Sequence, residues 1–105
     1  MSRRKPLLAN GGYGVLVTDN SMAEEYKKND IAFIGPNINP EKDHACLFRS
    51  EKQDGTEEGL MAYLDRSPDD KTLYYVRQTN PPKKFTIKKA DWQKCHVMVG
   101  KESGR

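Results

Sequence analysis

Only two cysteines, Cys46 and Cys95, occur in the 105 residues, and they lack CxxC spacing. That scarcity excludes a disulfide-framed domain and a cysteine-based zinc site. The two can pair only where the fold brings them together, and reduced thiols are the expectation. Long hydrophobic runs are missing as well. The longest, 31–35 and 95–100, fall far short of the roughly 20 apolar residues that a membrane helix needs. Residues 1–6 lead into no apolar signal segment, so a soluble, cytoplasmic chain is expected. Histidine is limited to His44 and His96. The acids Asp19, Glu24, Glu25 and Asp30 gather in sequence as turn acids do, without metal-ligand spacing. Neither a metal nor a cofactor is expected, and no internal repeat or low-complexity segment is present.

What the chain does have suffices for one small domain. A mass of 12.0 kDa with 35% hydrophobic residues supports one core and not two. The net charge is +3, with cations concentrated at Arg3, Arg4 and Lys5 and again at Lys83, Lys84, Lys88, Lys89 and Lys94. No zinc-finger or helix-turn-helix pattern accompanies them, so they read as solvated surface and not as a nucleic-acid track.

Short runs of β-branched and aromatic residues alternate with turn-forming clusters, which predicts an all-β domain. Strands are expected at 14–18, 30–35, 45–51, 59–64, 72–78, 84–88 and 95–100. Turns fall at Pro36-Asn37, Asp54-Gly55, 67–70 and 80–82. So many strands in a short chain imply a compact twisted sheet or a partly closed barrel. The one helical piece predicted is 22–28, capped by Asn20 or Ser21, with Glu24 and Glu25 in its first turn where the helix dipole favours acids. Trp92, Tyr74, Tyr75 and Phe85 read as core or interface aromatics, not a stacking platform.

Two separated stretches resemble a known family. The strand Gly14-Val15-Leu16-Val17-Thr18 runs into Asp19-Asn20-Ser21-Met22, then a short turn ending in Asn29-Asp30, then the apolar Ile31-Ala32-Phe33-Ile34 and Pro36. Later, Val76-Arg77-Gln78-Thr79-Asn80-Pro81-Pro82, Asp91-Trp92 and His96-Val97-Met98-Val99-Gly100 follow in order. The layout resembles the LexA-like serine peptidases, and in particular the C-terminal domains of phage-type transcriptional repressors. The resemblance implies a LexA-type β domain over 12–100, an arm or linker remnant at 1–11, disordered at the N-terminus, and a tail at 101–105.

In that family a serine at the strand-to-turn junction is the nucleophile, and a buried, unprotonated lysine in an apolar-Lys-Arg-Leu stretch is its general base. Ser21 matches the nucleophile. The stretch matching the lysine is Leu60-Met61-Ala62-Tyr63-Leu64, so Ala62 stands at the lysine position, with Tyr63 where arginine is usual and Asn20 where aspartate is usual. Alanine can neither accept nor return a proton. Lys52 and Lys71 fall in turns or strand ends and are not expected to substitute. His44 and His96 have the right intrinsic chemistry, but His96 reads as a packing or partner residue and His44 as a turn residue.

The resemblance therefore implies the oligomerisation and regulatory domain of a repressor whose Ser–Lys self-cleavage is disabled. The alternative is an active Ser–Lys self-cleaving peptidase whose lysine was changed to alanine or replaced by another base. The implied partner is a second copy, forming a homodimer or larger oligomer, with His96, Val97, Met98 and Val99 as the expected interface strand. Operator DNA is expected to be read only through an N-terminal helix-turn-helix domain that this sequence lacks, and the DNA-damage recombinase filament is a further implied partner. The sequence reads as a fragment or processed half of such a repressor.

Overall fold

Residues 11–103 are described by the structure, a computed structural model. The predicted N-terminal arm falls almost wholly outside them. Seven strands form: β1 (Tyr13–Leu16), β2 (Ile31–Gly35), β3 (Ala45–Glu51), β4 (Glu57–Leu64), β5 (Leu73–Thr79), β6 (Pro82–Lys88) and β7 (Lys94–Glu102). Each lies on a predicted run, with ends shifted by a few residues. Lys101 and Glu102, expected in the tail, instead pair with Ala32 and Ile31 and continue β7.

All pairings are antiparallel, in the order β1-β2-β7-β3-β4-β5-β6. The sheet is open, with β1 and β6 at its edges, so of the two architectures expected the twisted sheet forms and the ladder does not close into a barrel. Local chemistry sets the hairpins. Gly55 takes φ +90° between β3 and β4, a conformation only glycine enters freely, while the Asp54 carboxylate accepts from the Thr56 N–H and hydroxyl. Asp70 does the same for Thr72 and also receives the Leu73 N–H, which launches β5.

Side-chain alternation divides the core in two. One cluster gathers Val17, Met22, Tyr26, Ala32, Ile34, Ala45, Leu47, Tyr63 and Met98, where β1, β2 and the segment between them lie over β3, β4 and β7. The other gathers Cys46, Phe48, Ala62, Leu64, Val76 and Val97, with Tyr74, Phe85, Ile87 and Trp92 packed against it. Three of the four aromatics singled out from the sequence thus serve the second core. The strand β3 is buried on both faces because each cluster draws on alternate residues of it.

The predicted helix at 22–28 does not form. The segment is a series of turns with one isolated bridge between Met22 and Tyr26. Its polar groups are engaged across the fold instead of along a helix axis. The Ser21 carbonyl accepts from the backbone N–H of Thr79 and of Asn80, and the Ala23 carbonyl accepts from the Thr79 hydroxyl at 2.6 Å. The Lys27 and Lys28 N–H groups donate to the Asp30 and Asn20 side chains. Asn29, at φ +79°, occupies a left-handed position that asparagine tolerates better than most residues. Around it the Val17 N–H donates to the Asp30 carbonyl and the Val17 carbonyl accepts the Asn29 N–H, which carries the β1–β2 ladder on toward the turn.

Candidate functional site

Where β1 ends, the chain turns sharply through Thr18-Asp19-Asn20-Ser21. The Asp19 carboxylate accepts the Ser21 N–H at 3.0 Å, an Asx turn that fixes the backbone of the serine. From the other side, Thr79 and Asn80 at the end of β5 hold the Ser21 carbonyl at 3.0 and 3.1 Å, and the Asn80 amide reaches the Asn20 carbonyl. Met22, next in sequence, is 2% exposed and anchors the turn in the first core. Ser21 is therefore pinned from both neighbours and lines a cleft of about 250 Å³.

The far wall of that cleft is β4. Gly59, Leu60 and Met61 line it, together with Val15, Leu47 and Gln78. β5 pairs with β4 only at Tyr63 and Leu64, so the outer side of β4 before those residues is open to the cleft, and Gln78 caps it by donating to the Met61 carbonyl at 2.9 Å. The structure thus brings Ser21 and the stretch singled out from the sequence into one site. Ala62 itself lies one residue beyond the lining. Its methyl is fully buried in the second core, on the same side of β4 as Leu60, which packs against that core and also reaches the cleft.

No lysine or histidine lines the cleft among the described residues, and its one ionisable group is Asp19. Each basic residue weighed from the sequence is placed elsewhere. Lys52 pairs with Glu58 at 3.0 Å, Lys71 is exposed before β5, and the His44 Nδ1 accepts the Glu41 N–H within its own turn. No group of three or more His, Cys, Asp or Glu side chains able to hold a metal occurs among the described residues.

His96 sits at the other end of the first core. The Tyr13 hydroxyl donates to His96 Nδ1 at 2.7 Å when the imidazole is neutral, with the two rings edge to face. Arg49 donates to the same hydroxyl and pairs with Glu57. Burial, then the positive charges of Arg49 and Lys94, hold the His96 pKa below its ordinary 6.5. A depressed histidine contributes stability that is present above the unfolded pKa and lost as pH falls through 6.5 toward the folded value. Denaturant midpoints measured at pH 7.5 and pH 5 are expected to differ less in His96→Gln than in the parent. An unchanged difference would place the acid sensitivity elsewhere.

The strand expected at an interface between copies is internal. β7 is paired on both sides, with β2 and with β3, and Val97 and Met98 are 4% and 5% exposed within one chain. His96 and Val99 are half-buried beside them. The free ladder edges among the described residues are those of β1 and β6. β1 carries Leu16, 51% exposed, and no charge.

Sequence reasoning missed several contacts that depend on the fold. Asp30, 6% exposed, lies 3.8 Å from Lys101 on β7. Arg77 joins Asp43, Asp65 and the Leu64 carbonyl. Tyr63, at the usual arginine position, donates to Glu25 in the turn after Ser21, and this bond and burial push its pKa above the ordinary tyrosine value, burial first. The two free thiols also meet. A hydrogen bond with Cys95, then burial, drives the Cys46 pKa upward. No helix among the described residues is long and apolar enough to cross a membrane. Compared with known protein families, with curated proteins and with solved structures, the chain matches none.

Proposed function

We propose that this domain is the oligomerisation and regulatory domain of a phage-type transcriptional repressor, with Ser–Lys self-cleavage disabled because Ala62 occupies the position of the lysine. The observation that carries the reading is the Ser21 cleft. A serine held at a strand-to-turn junction faces the β4 stretch that supplies the base in LexA-like peptidases, yet no lysine or histidine lines that cleft among the described residues. A serine hydroxyl without such a base is a poor nucleophile near neutral pH. What remains to such a domain is to hold copies together, so that two separate helix-turn-helix readers engage DNA as one unit and the second contact becomes effectively intramolecular. A cleavage-disabled member would not release that linkage in response to the recombinase filament.

The uncharged β1 edge is the ladder best suited to pairing with a second copy, because β6 carries lysines of the kind that protect an edge strand. Sedimentation velocity over the micromolar range is expected to show a dimer. Leu16→Glu is expected to yield monomers that keep the parent's circular dichroism, since that side chain is largely exposed. A parent chain that stays monomeric throughout the range overturns the proposal.

A further inference from the structure

Charge is distributed unevenly along this chain. Residues 71–90 hold six cations, Lys71, Arg77, Lys83, Lys84, Lys88 and Lys89, and no acid. With a total of +3, everything else nets −3. In sequence these lysines look like ordinary solvated positions, but the fold collects them on a two-stranded ribbon.

β5 and β6 pair at Leu73↔Lys88, Tyr75↔Thr86 and Arg77↔Lys84. Those six residues share the ribbon face that points away from the second core, because Tyr74, Val76, Phe85 and Ile87 take the inner one. Arg66 adds a further cation to the outer face, lying 4.3 Å over the Tyr75 ring. Asp43 and Asp65 hold Arg77, and Asp65 also approaches Lys84 at 3.6 Å. These acids orient the two cations while the face stays positive, and the Lys84 side chain is 73% exposed. At the ribbon tip a cleft of about 390 Å³ is lined by Arg77, Thr79, Pro82, Lys83 and Lys84, with Gln78.

We infer that the outer face of the β5–β6 ribbon binds the phosphate backbone of duplex DNA without sequence preference. The spacing fits. Lys84 and Lys88 stand about 13 Å apart along an extended strand, far enough to meet separate phosphates of a duplex, which carries one charge per about 1.7 Å of its axis. The aromatic rings favour a duplex over a single strand. Arg66 covers Tyr75, Lys83 lies over Phe85 and Lys89 over Tyr74, so no ring is left bare for the base stacking that single-strand binding uses. A contact of this kind adds affinity beside any separate DNA reader, and it holds whether or not the domain self-associates.

The test is fluorescence anisotropy of the whole chain with a labelled duplex of arbitrary sequence and about 20 base pairs, between about 50 and 200 mM salt. Micromolar binding at low salt is expected, with a log–log salt slope of about −3 from three or four phosphate contacts. Lys84→Glu/Lys88→Glu is expected to weaken binding at least about tenfold and to remove about two units of that slope. Lys52→Glu/Lys94→Glu changes net charge equally at exposed positions whose side chains pair with Glu58 and Glu51 on β4 and β3 and is expected to stay within about twofold. Circular dichroism confirms that both double variants fold. The inference is overturned if the duplex does not bind or if the control variant loses as much affinity as the ribbon variant. It is equally overturned if polyglutamate or single-stranded DNA competes as well as unlabelled duplex.

Discussion

Lysine at position 62 is expected to make Ser21 reactive. The parent chain should label slowly with a fluorophosphonate, because no lysine or histidine among the described residues lines the Ser21 cleft. Ala62→Lys should label at Ser21 at least about 100-fold faster at pH 9, the lower end of what a positioned general base contributes. Ser21→Ala in the same background should abolish the label. The side chain would start from a fully buried position and leave it along the Leu60 side of β4, which opens on the cleft. Burial disfavours the ammonium, so the folded pKa of this lysine falls below the ordinary value of about 10.4. The sign of the linkage follows. The variant is most stable in alkali and loses stability as pH falls through 10.4 toward the folded pKa, whereas labelling rises as pH climbs through the folded pKa and the free amine appears. A folded variant that remains unlabelled at pH 9 to 10 would mean that position 62 does not address Ser21, and the proposed kinship of this cleft with a Ser–Lys dyad would fail.

Truncating Phe48 is expected to have the largest effect on stability. It is fully buried in β3 at the centre of the second core, and its ring centroid lies 5.0 Å from that of Tyr74 in a tilted contact. Phe48→Ala should lose about 3–5 kcal/mol, from the transfer of the ring and the cavity left behind. In thermal denaturation that corresponds to a fall of roughly 10–25 °C for a domain of this size. The site should feel the change. Phe48 joins the middle of the sheet to the β5–β6 ribbon, and the end of that ribbon holds the Ser21 carbonyl through Thr79 and Asn80. Phe48→Leu, which keeps most of the volume, should lose less than about 1.5 kcal/mol. A loss below about 1 kcal/mol in Phe48→Ala would show that the second cluster does not bear on stability as its burial implies.

The strands were legible because each rests on local information. A run such as Ala45-Cys46-Leu47-Phe48 suits an extended, buried ladder whatever its neighbours, and Asp54-Gly55 turns the chain by its own backbone preferences. The segment after Ser21 was misread for the complementary reason. Its caps and first-turn acids favour a helix, but Thr79, Asn80, Asp30 and Asn20 compete for the backbone groups that a helix would use. Those competitors lie up to about sixty positions away, beyond the reach of local propensity.

Ser21 and the β4 stretch could be named from their order and residue types, but not the cleft between them. That cleft exists because β5 leaves β4 after two paired residues, a matter of register and sheet twist. The sequence by itself determined an all-β chain with a serine at a strand-to-turn junction and no obvious base to serve it, since side-chain chemistry and alternation are local properties. Tertiary structure alone decided that β7 is paired on both sides within the sheet, that Cys46 meets Cys95, and that the lysines at 84 and 88 share one face with Arg77. Each depends on which strands become neighbours, and strand order is set by the packing of both cores together, not by any single segment.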